Sequence, residues 1–183
     1  MARTSVLVLL TVVTSASLLL AQTTPDTNMP GMAREKLNYF AGTWTLEVHM
    51  NNGPLGSKVF IGTEHNEWMP GGSLLLSRQE GSSPISSGGL TVLAYNAREK
   101  TYTYHVVKGT GEVEDLRGTL EGTTWTWTSE KGDDKSHKIR LIIKEISPQS
   151  YSLRFETAFG ESNWFTLIEG RAHKTIEFRA ARM

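Results

Sequence analysis

Cysteine is missing from this sequence, and its absence excludes several kinds of chemistry. A chain without cysteine has no disulfide bond, no thiol nucleophile and no cysteine-ligated metal site, so its fold relies on a hydrophobic core. An excess of charge is missing as well, because 19 basic and 19 acidic residues give a formal net charge of zero. The chain contains no basic block, and we therefore expect neither nucleic acid nor an anionic membrane surface as a partner.

Motifs of catalysis and of metal binding are also scarce. The five histidines lie on separate predicted strands, and none has the H-x-H or H-x-x-x-H spacing of a metal site. No serine lies in a G-x-S-x-G elbow, which also needs a strand–helix turn. Glu112 and Glu114 share a strand face, as an acid–base pair would, but a charged outer edge explains them better. We predict no catalytic residue and no metal ligand, and we favour a protein that is not an enzyme.

The one long apolar stretch lies at the N-terminus. Arg3 precedes an apolar segment at residues 6–21, which small hydroxylated residues interrupt. A basic start, an apolar centre and a small final residue predict a signal peptide over residues 1–21, cleaved after Ala21, with Ala16 as the alternative. A membrane anchor fits less well, because a spanning helix needs about 20 unbroken apolar residues. We expect a soluble mature chain, in the periplasm or outside the cell.

The mature chain divides into a lead, a domain and a tail. Residues 22–31 are polar, contain two prolines and predict a flexible lead. Apolar side chains at helical spacing predict a single short helix over residues 32–41, which Gly42 ends. We place one domain at residues 32–174, and residues 175–183 form a tail or an extension of the last strand.

After Gly42 most of the chain alternates between apolar and polar residues, which is the period of a half-buried strand. Short turns separate ten such runs, so neighbouring strands pair in antiparallel fashion. A meander of this length closes on itself to remove its exposed edges, and no tandem repeat indicates a propeller. We predict an all-β fold, a single antiparallel up-and-down barrel of about ten strands, with the short N-terminal helix closing one end. The predicted strands are residues 43–50, 57–68, 73–80, 89–95, 100–108, 112–121, 123–129, 137–146, 151–159 and 163–173.

The alternation also predicts which side chains point into the barrel. In the seventh predicted strand, two tryptophans share one face and threonines take the other. The eighth and ninth strands add apolar side chains to the same interior. Such residues either fill a core or surround a cavity. The predicted cavity-lining residues are Trp125, Trp127, Leu141, Tyr151, Leu153 and Phe155.

Gly42 and Trp44 mark the change from helix to first strand. Glycine permits the sharp turn, and Trp44 is then the first inward residue, placed to fill the closed end. Three motifs accompany this G-x-W sequence: PGGSLL at 70–75, AYN at 94–96 followed by KTY at 100–102, and EGR at 169–171. Together they resemble the calycin superfamily of lipocalins, fatty-acid-binding proteins and nitrobindin-like barrels. The chain is more closely similar, over about residues 33–174, to exported bacterial lipocalin-like proteins of unknown function.

The predicted barrel favours a binding function. Ten strands enclose enough space for a small ligand, and we expect a small apolar or amphipathic molecule in the interior. Two other functions remain open. Nitrobindin-like barrels use a histidine to ligate haem, so the resemblance implies haem as an alternative cofactor, with His65 or His137 as the ligand. The third possibility is an envelope protein whose outer surface binds a partner, without a ligand.

The resemblance also implies a structural role for an arginine. In lipocalin-like barrels an arginine from a late strand covers the first tryptophan, and Arg171 is the candidate here. Arg179 is the rival if the last strand is longer than predicted. Gly170 would let the indole of Trp44 approach the backbone closely. We expect Gly42, Trp44 and Arg171 to act together at the closed end.

Export is the first testable prediction. We expect cleavage between Ala21 and Gln22, because the apolar segment is too interrupted to remain in a membrane. N-terminal sequencing of the protein recovered from the periplasm or the medium should begin at Gln22. An intact Met1 in the membrane fraction would contradict the prediction.

Overall fold

A computed structural model of the protein describes residues 29–50, 58–81, 88–129, 137–159 and 163–175. The predicted signal peptide, most of the predicted lead and the tail with Arg179 lie outside these ranges. Within them, no helix is long and apolar enough to cross a bilayer.

A short helical segment precedes ten strands. Helix α1 spans Met29–Glu35 and continues as a 3-10 helix over Lys36–Tyr39. The helix begins three residues earlier than predicted and includes Pro30 in its first turn. Proline is tolerated there because the N–H group that it lacks would have no hydrogen-bond partner within the helix. The strands are β1 Gly42–Met50, β2 Lys58–Trp68, β3 Leu74–Gly81, β4 Leu90–Asn96, β5 Thr101–Val107, β6 Val113–Glu121, β7 Thr124–Ser129, β8 His137–Ser147, β9 Ser150–Phe159 and β10 Trp164–Lys174.

The strands form a closed barrel in which each pairs antiparallel with its chain neighbours and β10 pairs with β1. Every predicted strand is present, and its ends lie within one residue of the predicted ends. The predicted fold class, an all-β barrel of ten antiparallel strands with one short helical segment, is confirmed.

The helical segment closes one end of the barrel. Leu37 and Phe40 are buried among the core side chains. The hydroxyl of Tyr102, on β5, donates a hydrogen bond of 2.9 Å to the carbonyl of Ala33. The hydroxyl of Tyr39 lies 2.7 Å from the carbonyl oxygen of Ser150, at the start of β9. These bonds attach the helical segment to opposite walls of the barrel.

Gly42 and Trp44 join the helical segment to β1 as predicted. Gly42 has φ of +106°, a conformation that residues with a Cβ rarely adopt. Trp44 is fully buried, and its Nε1 donates a hydrogen bond of 2.7 Å to the carbonyl of Phe40. Nδ2 of Asn66, on β2, donates to the same carbonyl at 2.9 Å. A carbonyl at the end of a helical segment, which lacks an intrahelical partner, is thereby paired twice.

The cation near Trp44 is Lys174, which corrects the prediction for Arg171. The Nζ of Lys174 lies 5.2 Å from the centre of the indole ring. Lys174 is opposite Trp44 in the β1–β10 register, whereas Arg171 is opposite Glu47 and is exposed. Side chains alternate along β10, so a position three residues away points to the other side of the sheet.

Gly170 also has a different role from the predicted one. A Cβ at this position would lie 2.2 Å from the carbonyl oxygen of Glu47 and 2.8 Å from the Cα of Val48. It is therefore the backbone of β1, and not the indole of Trp44, that approaches Gly170. The close contact lies where the last strand pairs with the first.

We predict that Trp44 and Lys174 are energetically coupled. Trp44→Ala should lower the free energy of unfolding by about 3–5 kcal/mol, because it empties a buried site. Lys174→Ala should cost about 0.5–1 kcal/mol, the range for a partly exposed cation–π contact. Urea unfolding of a double-mutant cycle with Trp44→Leu and Lys174→Ala should give a coupling energy of about 0.5 kcal/mol or more.

Arg171→Ala is the matched control for this cycle. Its side chain is exposed, so we expect a change within about 0.5 kcal/mol and no coupling to Trp44. Coupling of Trp44 to Arg171 but not to Lys174 would contradict the observed register.

Candidate ligand site inside the barrel

A cavity of about 40 Å³ lies inside the barrel, below the ring of Phe40. This volume holds a few atoms, since one water molecule needs about 10–15 Å³ of such space. Drug-sized ligands occupy pockets of about 300–1,000 Å³. The apolar lining residues are Phe40, Leu46, Leu93, Leu141, Ile143 and Leu153. The remaining lining residues carry polar groups and are Glu64, Asn66, Ser77, Gln79, Tyr104, Trp127 and Tyr151.

Four of the six predicted lining residues border this cavity, namely Trp127, Leu141, Tyr151 and Leu153. Trp125 is fully buried beside the cavity, with its ring stacked on that of Trp127 at 5.3 Å and its Nε1 donating to Glu145 at 2.7 Å. Phe155 is partly buried against the core and does not line the cavity. The prediction therefore located the interior but extended the cavity too far along β7 and β9.

Most of the polar lining comes from β2, β3 and β5 and was not predicted from the sequence. Glu64 and Asn66 point inward on β2, whereas Val59 and Ile61 are 55% and 64% exposed on its outer side. Near the start of β2 the apolar side chains therefore point outward, whereas later polar side chains of the strand point inward. The sequence did indicate the inner face of β2, because Glu64 and Asn66 lie four and two residues before Trp68 and therefore share its face. Trp68 is a large aromatic residue that packs against the core.

The same arrangement places His65 on the outside of the barrel, so its predicted role as a haem ligand inside the barrel is wrong. Its Nδ1 lies 3.3 Å from the hydroxyl of Thr43, and its Nε2 lies 3.9 Å from a carboxylate oxygen of Glu80. The side chain of His137 lies outside the described residues. Among the described residues, no group of three histidines or carboxylates is placed to hold a metal ion.

Glu64 is the titratable carboxyl group of the cavity lining. Gln79 Nε2 donates a hydrogen bond of 2.5 Å to its Oε1, and the Tyr151 hydroxyl donates one of 3.2 Å to its Oε2. Burial raises the pKa of Glu64, while the hydrogen bonds from Gln79, Tyr151 and Asn66 act in the opposite direction and only reduce the rise. None of the described residues that line the cavity carries a basic side chain to offset the burial.

Two tyrosines face this carboxyl group as neutral hydrogen-bonding groups. Burial, followed by the nearby charge of Glu64, raises the pKa of Tyr104 and raises that of Tyr151 well above the ordinary value. Both phenols therefore keep their protons at physiological pH. The hydroxyl of Tyr151 donates its hydrogen bond to Glu64, and Tyr104 forms a hydrogen bond with Thr91.

Three buried polar atoms of the lining have no hydrogen-bond partner within the described part of the chain. They are Oδ1 of Asn66, Oε1 of Gln79 and Nε1 of Trp127. A buried group left unpaired costs about 1–3 kcal/mol. Because all three belong to residues around one cavity, the interior contains unused hydrogen-bonding capacity in one place.

A second concave surface lies on the outside, across β7 to β10 and β1. It encloses about 880 Å³ and is open to solvent. Both signs of charge line it, with Lys144, Arg154 and Arg171 beside Glu47 and Glu169. The predicted structural residue Arg171 thus belongs to the outer surface.

We predict that Glu64 makes stability depend on pH. Burial raises its pKa in the folded state above the ordinary value of 4.5, so the folded protein binds this proton more tightly than the unfolded chain. The resulting stabilisation is complete below about pH 4.5 and is lost as the pH rises through the raised pKa. Glu64→Gln should therefore be more stable than the unchanged protein at pH 8, and the difference should shrink towards pH 4.

Glu67→Gln is the matched control on the same strand. Glu67 is exposed and pairs with Arg78 at 2.6 Å, so its removal should cost no more than about 1 kcal/mol. Urea unfolding between pH 4 and pH 8 measures both variants. A pH dependence that Glu64→Gln leaves unchanged would contradict the prediction.

Comparison with known proteins gives a fold relative and a family. No curated protein matches the sequence. The chain is similar to a solved structure, the crystal structure of Rv2717c from M. tuberculosis, with a TM-score of 0.56 and 10% identity over 79% of this chain and 98% of the other. At that identity the similarity concerns the fold alone. A family model matches residues 29–174, and the chain belongs to the family described as "Protein of unknown function (DUF1579)".

Proposed function

We propose that the protein is an exported binding protein that holds a small amphipathic molecule inside its barrel. The observation that carries the proposal is the mixed lining of the cavity: β2 and β3 contribute a carboxyl group and amides, β5 and β9 contribute phenols, and leucine side chains come from β1, β4, β8 and β9. Binding sites for small molecules combine an apolar lining with a few polar groups that fix the orientation of the ligand.

The volume of the cavity supports a ligand of few atoms over a lipid. Close-packed aromatic rings occupy the closed half of the barrel, with Phe40 5.1 Å from Trp125 and Trp44 4.9 Å from Tyr151. A long acyl chain would have to displace such rings, and losing a buried aromatic side chain from a core costs about 3–5 kcal/mol. A short apolar tail among the leucines needs no such rearrangement.

The lining favours binding over catalysis. General acid–base chemistry needs groups whose pKa lies near the working pH. Tyr104 and Tyr151 have pKa values raised away from that range, and Glu64 has no second titratable carboxyl or histidine beside it among the described lining residues.

Haem binding through His137 remains the enzymatic or cofactor alternative, and a Soret band after addition of haemin to the mature protein would support it.

The outer surface supports a second proposal, an envelope interaction module. The groove across β7 to β10 and β1 presents Lys144, Arg154, Arg171, Glu47 and Glu169 over about 880 Å³. Interfaces with polar and mixed-charge rims are common in transient association. This second function does not depend on a ligand inside the barrel.

We predict that short-chain alcohols stabilise the mature protein and that a larger side chain at Leu93 prevents this. A ligand at 100 times its Kd adds about 2.7 kcal/mol of stability. Leu93 is buried and borders the cavity, so Leu93→Phe fills the space that the ligand needs. Thermal unfolding with methanol to hexanol measures the effect, with chemical-shift changes as the direct readout.

Leu90→Phe is the control, because Leu90 lies on the same strand with 36% of its surface exposed. This variant should respond to ligands as the unchanged protein does. If no small amphiphile perturbs the signals of the inward residues, or if Leu93→Phe binds as well as Leu90→Phe, binding inside the barrel is refuted.

A further inference from the structure

We infer that the polar wall of the cavity binds the ammonium group of a small primary amine, with Glu64, Asn66 and Gln79 as its acceptors. The inference rests on the proposed binding function and names the chemical class of the ligand. It is carried by the charge, the hydrogen-bonding capacity and the aromatic surroundings of the described lining residues.

The charge of the lining is one-sided. Glu64 contributes a carboxyl group, and within the part of the chain that the structure describes no lysine, arginine or histidine lines the cavity. A carboxylate held away from water without a cation is costly, and a pair with a cation offsets part of that cost. A cationic ligand supplies the partner that the lining lacks.

The acceptors of the wall outnumber its donors. The Nδ2 of Asn66 donates to the Phe40 carbonyl, and the Nε2 of Gln79 donates to Glu64. Each amide is oriented by a partner that accepts a hydrogen bond, so two of the three unpaired atoms, Oδ1 of Asn66 and Oε1 of Gln79, are acceptors, and the third, Nε1 of Trp127, is a donor.

The arrangement of the three acceptor residues suits an ammonium group. Glu64 is opposite Gln79 in the β2–β3 register, and Asn66 is two residues from Glu64 on the same face of β2. A primary ammonium has three N–H donors and no acceptor. One carboxylate and two amide oxygens therefore match its three donors in number and in kind.

Aromatic rings complete the surroundings. Tyr104, Trp127 and Tyr151 border the same cavity, and the rings of Tyr104 and Trp127 are 5.5 Å apart. The faces of such rings attract cations. A neutral alcohol gains less from this wall, because it leaves the carboxyl group of Glu64 without a countercharge.

The proton balance of binding follows from the neighbours of Glu64. Its titratable neighbours are Tyr151 on β9 and Tyr104 on β5, both of which keep their protons, while Glu114 on β6 acts on Tyr104. On the two neighbouring strands, Glu64 is opposite Gln79 of β3 and Trp44 of β1. Both of these side chains are uncharged, so neither strand places a charge beside Glu64. When an alkylammonium binds to protonated Glu64, the carboxyl proton passes to the buffer and the carboxylate pairs with the ligand.

Calorimetric titration of the full mature chain with ethylamine hydrochloride and with ethanol, at constant ionic strength, tests the inference. We expect ethylamine to bind at least tenfold more tightly than ethanol. Binding near the raised pKa of Glu64 should release protons, seen as a dependence of the heat on the ionisation enthalpy of the buffer. Glu64→Gln should lose at least tenfold in affinity for ethylamine, whereas Glu67→Gln should bind it unchanged.

Gln79→Met provides a second variant if Glu64→Gln does not fold. It keeps the length of the side chain and removes both the unpaired oxygen and the amide group that donates to Glu64, so the affinity for ethylamine should fall while that for ethanol is kept. Equal binding of ethanol and ethylamine, or full amine affinity in both variants, would overturn the inference and leave the proposed binding function intact. If neither compound binds, the inference and the proposed function for such short ligands fail together.

Discussion

The carbonyl oxygen of Phe40 accepts two buried hydrogen bonds, and the arrangement of the closed end depends on them. One comes from the indole of Trp44 at 2.7 Å and the other from the amide of Asn66 at 2.9 Å. They join the end of the helical segment to both β1 and β2. Buried hydrogen bonds of this kind act in a low dielectric, so an unpaired donor or acceptor here would be expensive. The same bond that fixes the helical segment also orients the amide of Asn66 in the cavity wall.

Packing under Phe40 extends this constraint to the site. The Phe40 ring lies 5.1 Å from Trp125, 5.9 Å from Trp127 and 6.0 Å from Tyr151. Tyr151 in turn donates a hydrogen bond to Glu64. A chain of contacts thus runs from the helical segment through the aromatic rings to the carboxyl group. The rings fill the closed half of the barrel, and this filling explains why a barrel of ten strands encloses only about 40 Å³ at this site.

Much of the fold could be predicted because alternation and turns are local signals. The ten strands, the helix-to-strand turn at Gly42 and the burial of Trp44 follow from them. Closure is non-local, and it decides which late residue faces Trp44. A register in which Lys174 is opposite Trp44 cannot be read from either strand separately.

On β10 and on β2 the apolar residues do not follow the inner face of the strand, and this limited the prediction in two other places. A register shift between Thr166 and Ile168 gives β10 a bulge, so that Ile168 is buried in the core while Trp164 lies under the guanidinium of Arg140. A bulge changes the alternation along a strand, which explains why the sequence left the faces of this strand ambiguous. On β2 the exposed Ile61 suggested the wrong inner face.

The polar wall was missed for a physical reason that also bears on function. Hydrophobic alternation identifies interiors by their apolar residues, and an inward carboxyl group contradicts that rule. Apolar residues in place of a buried charged group often leave a protein as stable or more stable. Glu64 faces the interior with no cation among the described lining residues and beside amides with unpaired oxygens, and it therefore opposes the packing that the rest of the core follows. Local violations of folding rules concentrate at functional sites, where binding or chemistry compensates for the lost stability. The interior of this barrel is consistent with that pattern: its aromatic half stabilises the fold, and its polar wall retains unpaired hydrogen-bonding atoms that the proposed ligand would pair with.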